Sequence, residues 1–199
     1  MKLYMVRHAN PQIDPRVAAC KWRLSAVGKE RAEELVKLLA GRGIQGVVSS
    51  GEPKAVETAQ ILAAALGMQI EIEKGLQEHE RPLTPGSFTS REEFQAQVKA
   101  FFEQPGRLVL GRETAEQCFE RFDRAMHKVI ASHAGKTLAV VTHGTVLALL
   151  IARHNHIDEY SFWKDLGMPA CFQINTQDFR IEEVIELPEP RSLEKDNPT

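Results

Sequence analysis

The chain lacks the features that mark a secreted scaffold, a membrane protein or a nucleic-acid binder. Its 199 residues include three cysteines, Cys20, Cys118 and Cys171. The number is odd, the spacing is wide and no C-x-x-C occurs. This excludes a disulfide framework or zinc ribbon and points to reduced thiols in a cytoplasmic protein. An excess of one charge is also missing. Lys+Arg 25 against Asp+Glu 27 leaves a formal net charge of −2, so no general basic face is offered to nucleic acid. Long apolar runs are absent, and the longest, such as Thr145–Ala152, are far too short to cross a bilayer. Lys2 is followed at once by strand-like residues and not by the apolar stretch of a signal peptide. No internal repeat and no linker divides the sequence.

What is present suffices for a well-filled core. Hydrophobic residues make up 43% and charged residues 26%, a balance that needs no metal or disulfide staple. Leu3–Val6 reads as a buried strand, and the following Arg7-His8 is cut off by Pro11. Ser25 is an N-cap for a helix over Ala26–Ala40, closed by Gly41 and Gly43. Gly46–Ser50 is a second strand. Pro53 suits the first turn of an Ala-rich helix over Ala55–Leu66, and Gln69–Glu73 is an edge strand. Ser90-Arg91-Glu92-Glu93 and Thr114-Ala115-Glu116-Gln117 have capping-box spacing, and each opens a helix. Phe94, Phe101 and Phe102 form an apolar stripe on the first. The second runs to about His133. Thr137–Thr142 is a strong strand and Thr145–His154 an apolar helix. Phe172–Asn175 and Arg180–Leu187 form a closing hairpin.

Strands alternating with helices imply right-handed crossovers. The expected fold is α/β, a three-layer sandwich with a mostly parallel central sheet and helices on both faces. Residues 1–187 form one catalytic domain. Within it, residues 76–111, punctuated by Pro82, Pro85, Gly86, Pro105 and Gly106, make an excursion over the active site. Residues 188–199, rich in proline and charge, are a loose tail.

Candidate chemistry sits at strand ends, where open α/β sheets place ligands. The first strand ends in Arg7 and His8. The second ends in Ser49 and Ser50, with Lys54 on the following helix. The Thr137–Thr142 strand ends in Thr142, His143 and Gly144. If these ends converge, two imidazoles, a guanidinium and an ammonium share a pocket with a helix N-terminus near Thr145, and Gly144 lets a ligand approach the backbone. That set suits a phosphoryl group. Asn10 faces the same site or serves the turn before Pro11. His154-Asn155-His156 fits a helix C-terminus better than a metal site. Trp22, Phe88, Trp163 and Met168 suit either a pocket wall or packing.

Four segments carry a family resemblance: VRHANP at the start, LSAVG over Leu24–Gly28, SSGEPKAVETA over Ser49–Ala59 and VVTHGT over Val140–Thr145. In that order they resemble the histidine phosphatase superfamily, which includes the phosphoglycerate mutases and related acid phosphatases. The resemblance implies a phosphoglycerate mutase-like fold and a cofactor-independent phosphomonoesterase. It places His8 as the nucleophile, and Arg7 and His143 as holders of phosphoryl oxygens. Leu76-Gln77-Glu78 matches the family's acid, so Glu78 is the expected general acid and base, with Glu80 as its rival. Glu113 resembles a residue of structural or rim character. Two departures stand out. Ala9 replaces the usual Gly, and Lys54 stands where most members carry Arg, losing bidentate binding. Arg81 is the candidate to supply the missing guanidinium. The expected substrate is a small phosphorylated molecule, and no metal or other cofactor, nucleic acid or membrane is expected. Phosphoryl transfer of the mutase type and phospho-ligand binding with little catalysis are the alternatives; the length of the chain disfavours the first, and the intact Arg7, His8, Glu78 and His143 set argues against the second.

Overall fold

The computed structural model describes residues 1–81 and 90–188. Pro82, Pro85, Gly86, Phe88 and the tail beyond residue 188 lie outside the described residues. Among the described residues, six strands form one sheet. They are β1 (Leu3–Arg7), β2 (Gly46–Ser49), β3 (Ile70–Ile72), β4 (Leu138–Thr142), β5 (Ala170–Ile174) and β6 (Ile181–Ile185), in the spatial order β3-β2-β4-β1-β5-β6. The first four are mutually parallel, and β5 and β6 are antiparallel additions at one side. The sheet is therefore mostly parallel, as the alternating pattern requires.

Among the described residues, six α-helices cover it: α1 (Ala26–Leu39), α2 (Pro53–Ala65), α3 (Arg91–Glu103), α4 (Ala115–Ser132), α5 (Gly144–Asn155) and α6 (Glu159–Asp165). Strand side chains alternate between two cores, following the period-2 geometry of a strand. Tyr4, Val6, Ala139 and Val141 face α1 and α2. Leu3, Met5, Leu138 and Val140 face the apolar sides of α3, α4 and α5, with Phe101, Phe122 and Met126 fully buried among them. This is the three-layer arrangement expected from the sequence. The central strands are apolar on both faces because both faces are covered.

The helix signals act where they were read. Ser25 accepts a hydrogen bond from Gly28 N–H, Ser90 from Glu93 N–H, and Thr114 forms a reciprocal capping box with Gln117. Gly28 has a further role. A Cβ there would lie 2.0 Å from the Asn10 carbonyl oxygen, which itself accepts from Ser25 N–H and Oγ–H. The LSAVG segment thus seats the start of α1 directly on the loop that leaves β1.

Small differences have local causes. β1 extends to Arg7 because Arg7 pairs with Thr142 and Ala170 on either side. The same pairing starts β5 at Ala170, two residues before the expected start. Helix α6 is short, begins at the Asp158 cap and has no apolar period of its own. The Phe101 and Phe102 stripe is core, but Phe94 is only half-buried. The His154 ring packs near Phe179 and Phe119, at centroid distances of 5.1 and 6.3 Å.

Candidate active site

Parallel pairing brings the C-terminal ends of β1, β2 and β4 to one edge. Arg7 lies opposite Thr142, and Ser49 opposite Val141. The residues just beyond these ends converge in a cavity of about 510 Å³. Arg7, His8, Asn10, Glu52, Lys54, Gln77, Glu78 and Arg81 line its inner part. Trp22, Phe94, Trp163 and Met168 line its walls, so the two tryptophans border the site as well as packing. A larger groove of about 740 Å³ runs along α6, β5 and β6 and shares only Asn10 and Met168 with this cavity.

His8 is held at both its backbone and its ring. Its backbone N–H donates to Thr142 O at 2.9 Å, continuing the β1–β4 ladder by one residue. The ring Nδ1 lies 2.7 Å from the Ala9 carbonyl, an acceptor only, so Nδ1 carries the proton and Nε2 keeps its lone pair. Burial, followed by the charge of Lys54, lowers the pKa of His8 to about 3. The ring is therefore neutral across the physiological range. Ala9 is fully buried, and its N–H donates to Thr58 Oγ, whose hydroxyl bonds the Lys54 carbonyl.

His143 stands beside it, with ring centroids 5.1 Å apart. Its Nε2 is 2.7 Å from Ser50 Oγ, while its Nδ1 is buried without a hydrogen-bond partner. Burial and then Lys54 push its pKa well below the ordinary value. Arg7 donates from Nη1 to the Leu166 carbonyl at 2.6 Å, which fixes the guanidinium across the floor. Burial lowers its pKa to about 10, which leaves it charged. Gly144 makes room for this guanidinium: a Cβ there would meet Arg7 Nε at 3.0 Å. The close approach at Gly144 is thus made by Arg7, where the sequence suggested a ligand.

Glu78 lies across the pocket, at the N-terminus of α5. Its carboxylate accepts from Thr145 N–H at 3.2 Å and from His79 N–H at 2.9 Å, and sits 3.4 Å from Arg81 Nη2. Burial acts to raise its pKa. The Arg81 charge, the two backbone donors and Lys54 outweigh burial and bring it down to about 2. Glu80, the rival carboxylate, is exposed at the mouth. Arg81 does reach in: it donates to Thr145 Oγ at 2.7 Å while its guanidinium lies over the Phe94 ring.

Lys54 is buried at the same floor, but it is not an unpaired clamp. Its ammonium donates to Glu52 Oε2 at 2.5 Å and to the Ala19 carbonyl at 2.8 Å. Glu52 is a residue that the motif reading passed over, since its pairing depends on both side chains being buried together. Arg121 was missed as well. It donates to the carbonyls of Gly75, Gln77 and Glu78 and pairs with Glu113, whose carboxylate also accepts from Glu80 N–H. The Glu78-bearing segment is therefore clamped from behind, and Glu113 has the structural role that its motif suggested. Among the described residues, no group of three or more His, Cys, Asp or Glu is placed to hold a metal ion. No helix of the described residues is long and apolar enough to cross a membrane.

A family model described as the histidine phosphatase superfamily (branch 1) matches residues 3–181. The probable phosphoglycerate mutase GpmB of Salmonella paratyphi A is 26% identical over 159 residues, 76% of this chain and 74% of that protein. Solved structures similar in fold include mycobacterial hydrolase 2, with a TM-score of 0.75 at 18% identity over 96% of this chain and 93% of that one. A mycobacterial glucosyl-3-phosphoglycerate phosphatase gives a TM-score of 0.71 at 19% identity, over 94% and 97% of the two chains. The alpha-ribazole phosphatase of Shigella flexneri gives 0.70 at 22% identity, over 94% and 96%.

Proposed function

The chain belongs to the histidine phosphatase superfamily, and from that premise we propose that it hydrolyses small phosphomonoesters through a phosphohistidine on His8. One observation carries the reading: the hydrogen bond from His8 Nδ1 to the Ala9 carbonyl, which leaves an unprotonated Nε2 at the floor of a cationic cavity. In the first step Nε2 attacks phosphorus, the phosphorus–oxygen ester bond breaks, and the departing alkoxide takes a proton from Glu78. In the second, water attacks the phosphohistidine, Glu78 takes the water's proton, and inorganic phosphate leaves with His8 restored.

Arg7 and Arg81 supply positive charge for the phosphoryl oxygens, and His143 supplies a hydrogen-bond donor. The buried, unpartnered Nδ1 of His143 suits that task, because a neutral ring with Nε2 accepting from Ser50 Oγ–H carries its proton on Nδ1. Lys54 contributes charge while tied to Glu52. Glu78 starts as a carboxylate. The incoming phosphoryl charge, a like charge at close range, raises its proton affinity, so that it takes up a proton from solvent as the substrate binds and holds it for the leaving oxygen. Residues 1–187 act as one catalytic unit in this reading, with residues 76–111 bordering the site through Glu78, Arg81 and Phe94.

A second reading, transfer between positions of one small molecule, is favoured by the similarity to proteins named as probable phosphoglycerate mutases. Product analysis on a panel of phosphomonoesters separates the two. Hydrolysis releases inorganic phosphate in step with substrate loss, and His8→Ala abolishes it. A transferase returns an isomer with little free phosphate. Absence of both products from wild-type protein contradicts the enzymatic reading.

A further inference from the structure

The buried carboxylate of Glu52 has no place in the reaction above, yet it contacts Lys54, the Glu78 backbone and the neighbourhood of His143. Glu52 is the N-cap residue of α2, but its side chain does not cap that helix. It turns inward, where Oε2 accepts from Lys54 Nζ at 2.5 Å and Oε1 accepts from Glu78 N–H at 2.9 Å. Oε1 also lies 3.7 Å from His143 Nε2. The side chain is only 10% exposed, so water does not substitute for these partners. Both oxygens are thus committed, one to Lys54 two residues on and the other to the backbone of Glu78, 26 residues from Glu52 in sequence.

We propose that Glu52 is a positioning residue, a two-oxygen bridge that fixes the backbone carrying Glu78 relative to the Lys54 ammonium. This deepens the proposed hydrolysis and rests on Glu78 being its acid. Arg121 holds the Glu78 carbonyl and Glu52 holds the Glu78 N–H, so the peptide is held at both of its polar ends. The bridge needs two acceptors. A glutamine has nearly the same shape but one acceptor and one donor group. Placed at 52, its oxygen can face Lys54 or Glu78 N–H. Its NH₂ then meets the other donor, and one of the two contacts is lost.

The test compares kcat/KM for p-nitrophenyl phosphate, whose leaving group barely needs an acid, with that for a simple alkyl phosphate, whose leaving group does. Glu52→Gln is expected to lose about tenfold more on the alkyl ester than on the aryl ester, since small misplacements of a catalytic group cost that much or more. Glu52→Gln/Lys54→Met removes the competing ammonium, leaves the glutamine oxygen to Glu78 N–H, and should return the aryl-to-alkyl ratio to its wild-type value even where overall rates fall. Equal losses on both esters, as a merely loosened fold would give, overturn the proposal, as does a ratio that the double variant does not restore. Where Glu52→Gln alone does not fold, Glu52→Leu/Lys54→Met must shift the ratio and Glu52→Gln/Lys54→Met must not; the same ratio in both overturns it. Glu78→Gln run in parallel separates the premises. If it leaves the ratio unchanged, the acid assignment falls and the proposal with it. If it shifts the ratio and Glu52→Gln does not, the proposal alone falls.

Discussion

Replacing His8 by asparagine should make the fold less sensitive to acid, and the size of the effect follows from the burial of the ring. His8 is 5% exposed, and burial, reinforced by the Lys54 charge, lowers its pKa to about 3 from an ordinary 6.5. A folded-state pKa below the unfolded one means that the unfolded chain binds the extra proton. The stabilising contribution is therefore complete above pH 6.5 and is lost progressively as the pH falls, levelling off near pH 3. At about pH 5 the unfolded histidine is roughly 1.5 units below its pKa, and at about 1.36 kcal/mol per unit this is a loss of about 2 kcal/mol relative to pH 7. Asparagine does not titrate, so the variant escapes that loss while His143, His79 and Glu78 titrate in both proteins. Urea unfolding near pH 7 and near pH 5 measures the difference of differences. The wild type should lose about 2 kcal/mol more than His8→Asn over the interval. Coincident pH slopes would mean that folded His8 already takes up a proton, and the neutral nucleophile would be untenable.

Three further perturbations address the rest of the site. Glu78→Gln should cost about a hundredfold or more in kcat/KM on an alkyl phosphate and much less on p-nitrophenyl phosphate; equal costs would move the acid role elsewhere, with Glu80 next in line. Arg81→Ala should raise KM for phosphomonoesters and raise the pKa of Glu78, whose largest depressing influence is the Arg81 charge; unaltered affinity, turnover and pH profile would remove Arg81 from the phosphate clamp. Arg121→Met leaves Glu113 buried without its cation and frees the carbonyls of Gly75 and Gln77, so it should cost about 3 kcal/mol or more in urea unfolding. A loss below about 1 kcal/mol, the value of an exposed pair, would show that Arg121 does not clamp the segment.

The elements that could be read from the sequence are those with local causes. β1 is legible because an apolar run ends at Arg7-His8, and the helices begin where Ser25, Ser90 and Thr114 offer an oxygen to their third residue. His8 and His143 were legible because strand ends of a parallel sheet meet at one edge, whereas Glu78 was read only from the resemblance of Leu76-Gln77-Glu78 to a family segment. Helix α6 was not, since seven residues with no buried side chain show no period. The Glu52 bridge and the Arg121 clamp depend on partners 26 to 46 residues away, and nothing local marks a glutamate at an N-cap or an arginine on α4 for such contacts. Lys54 shows the limit of motif reading. It does line the cavity, but its carboxylate partner became visible only in three dimensions.

The central claim is that His8 Nε2 becomes phosphorylated. Rapid mixing with a radiolabelled phosphomonoester, acid quenching and separation of the protein test it directly. Wild-type protein should carry label that survives base and is released by acid, as a phosphoramidate does, and His8→Ala should carry none. Phosphate release without trapped label, or equal label on His8→Ala, would contradict the account.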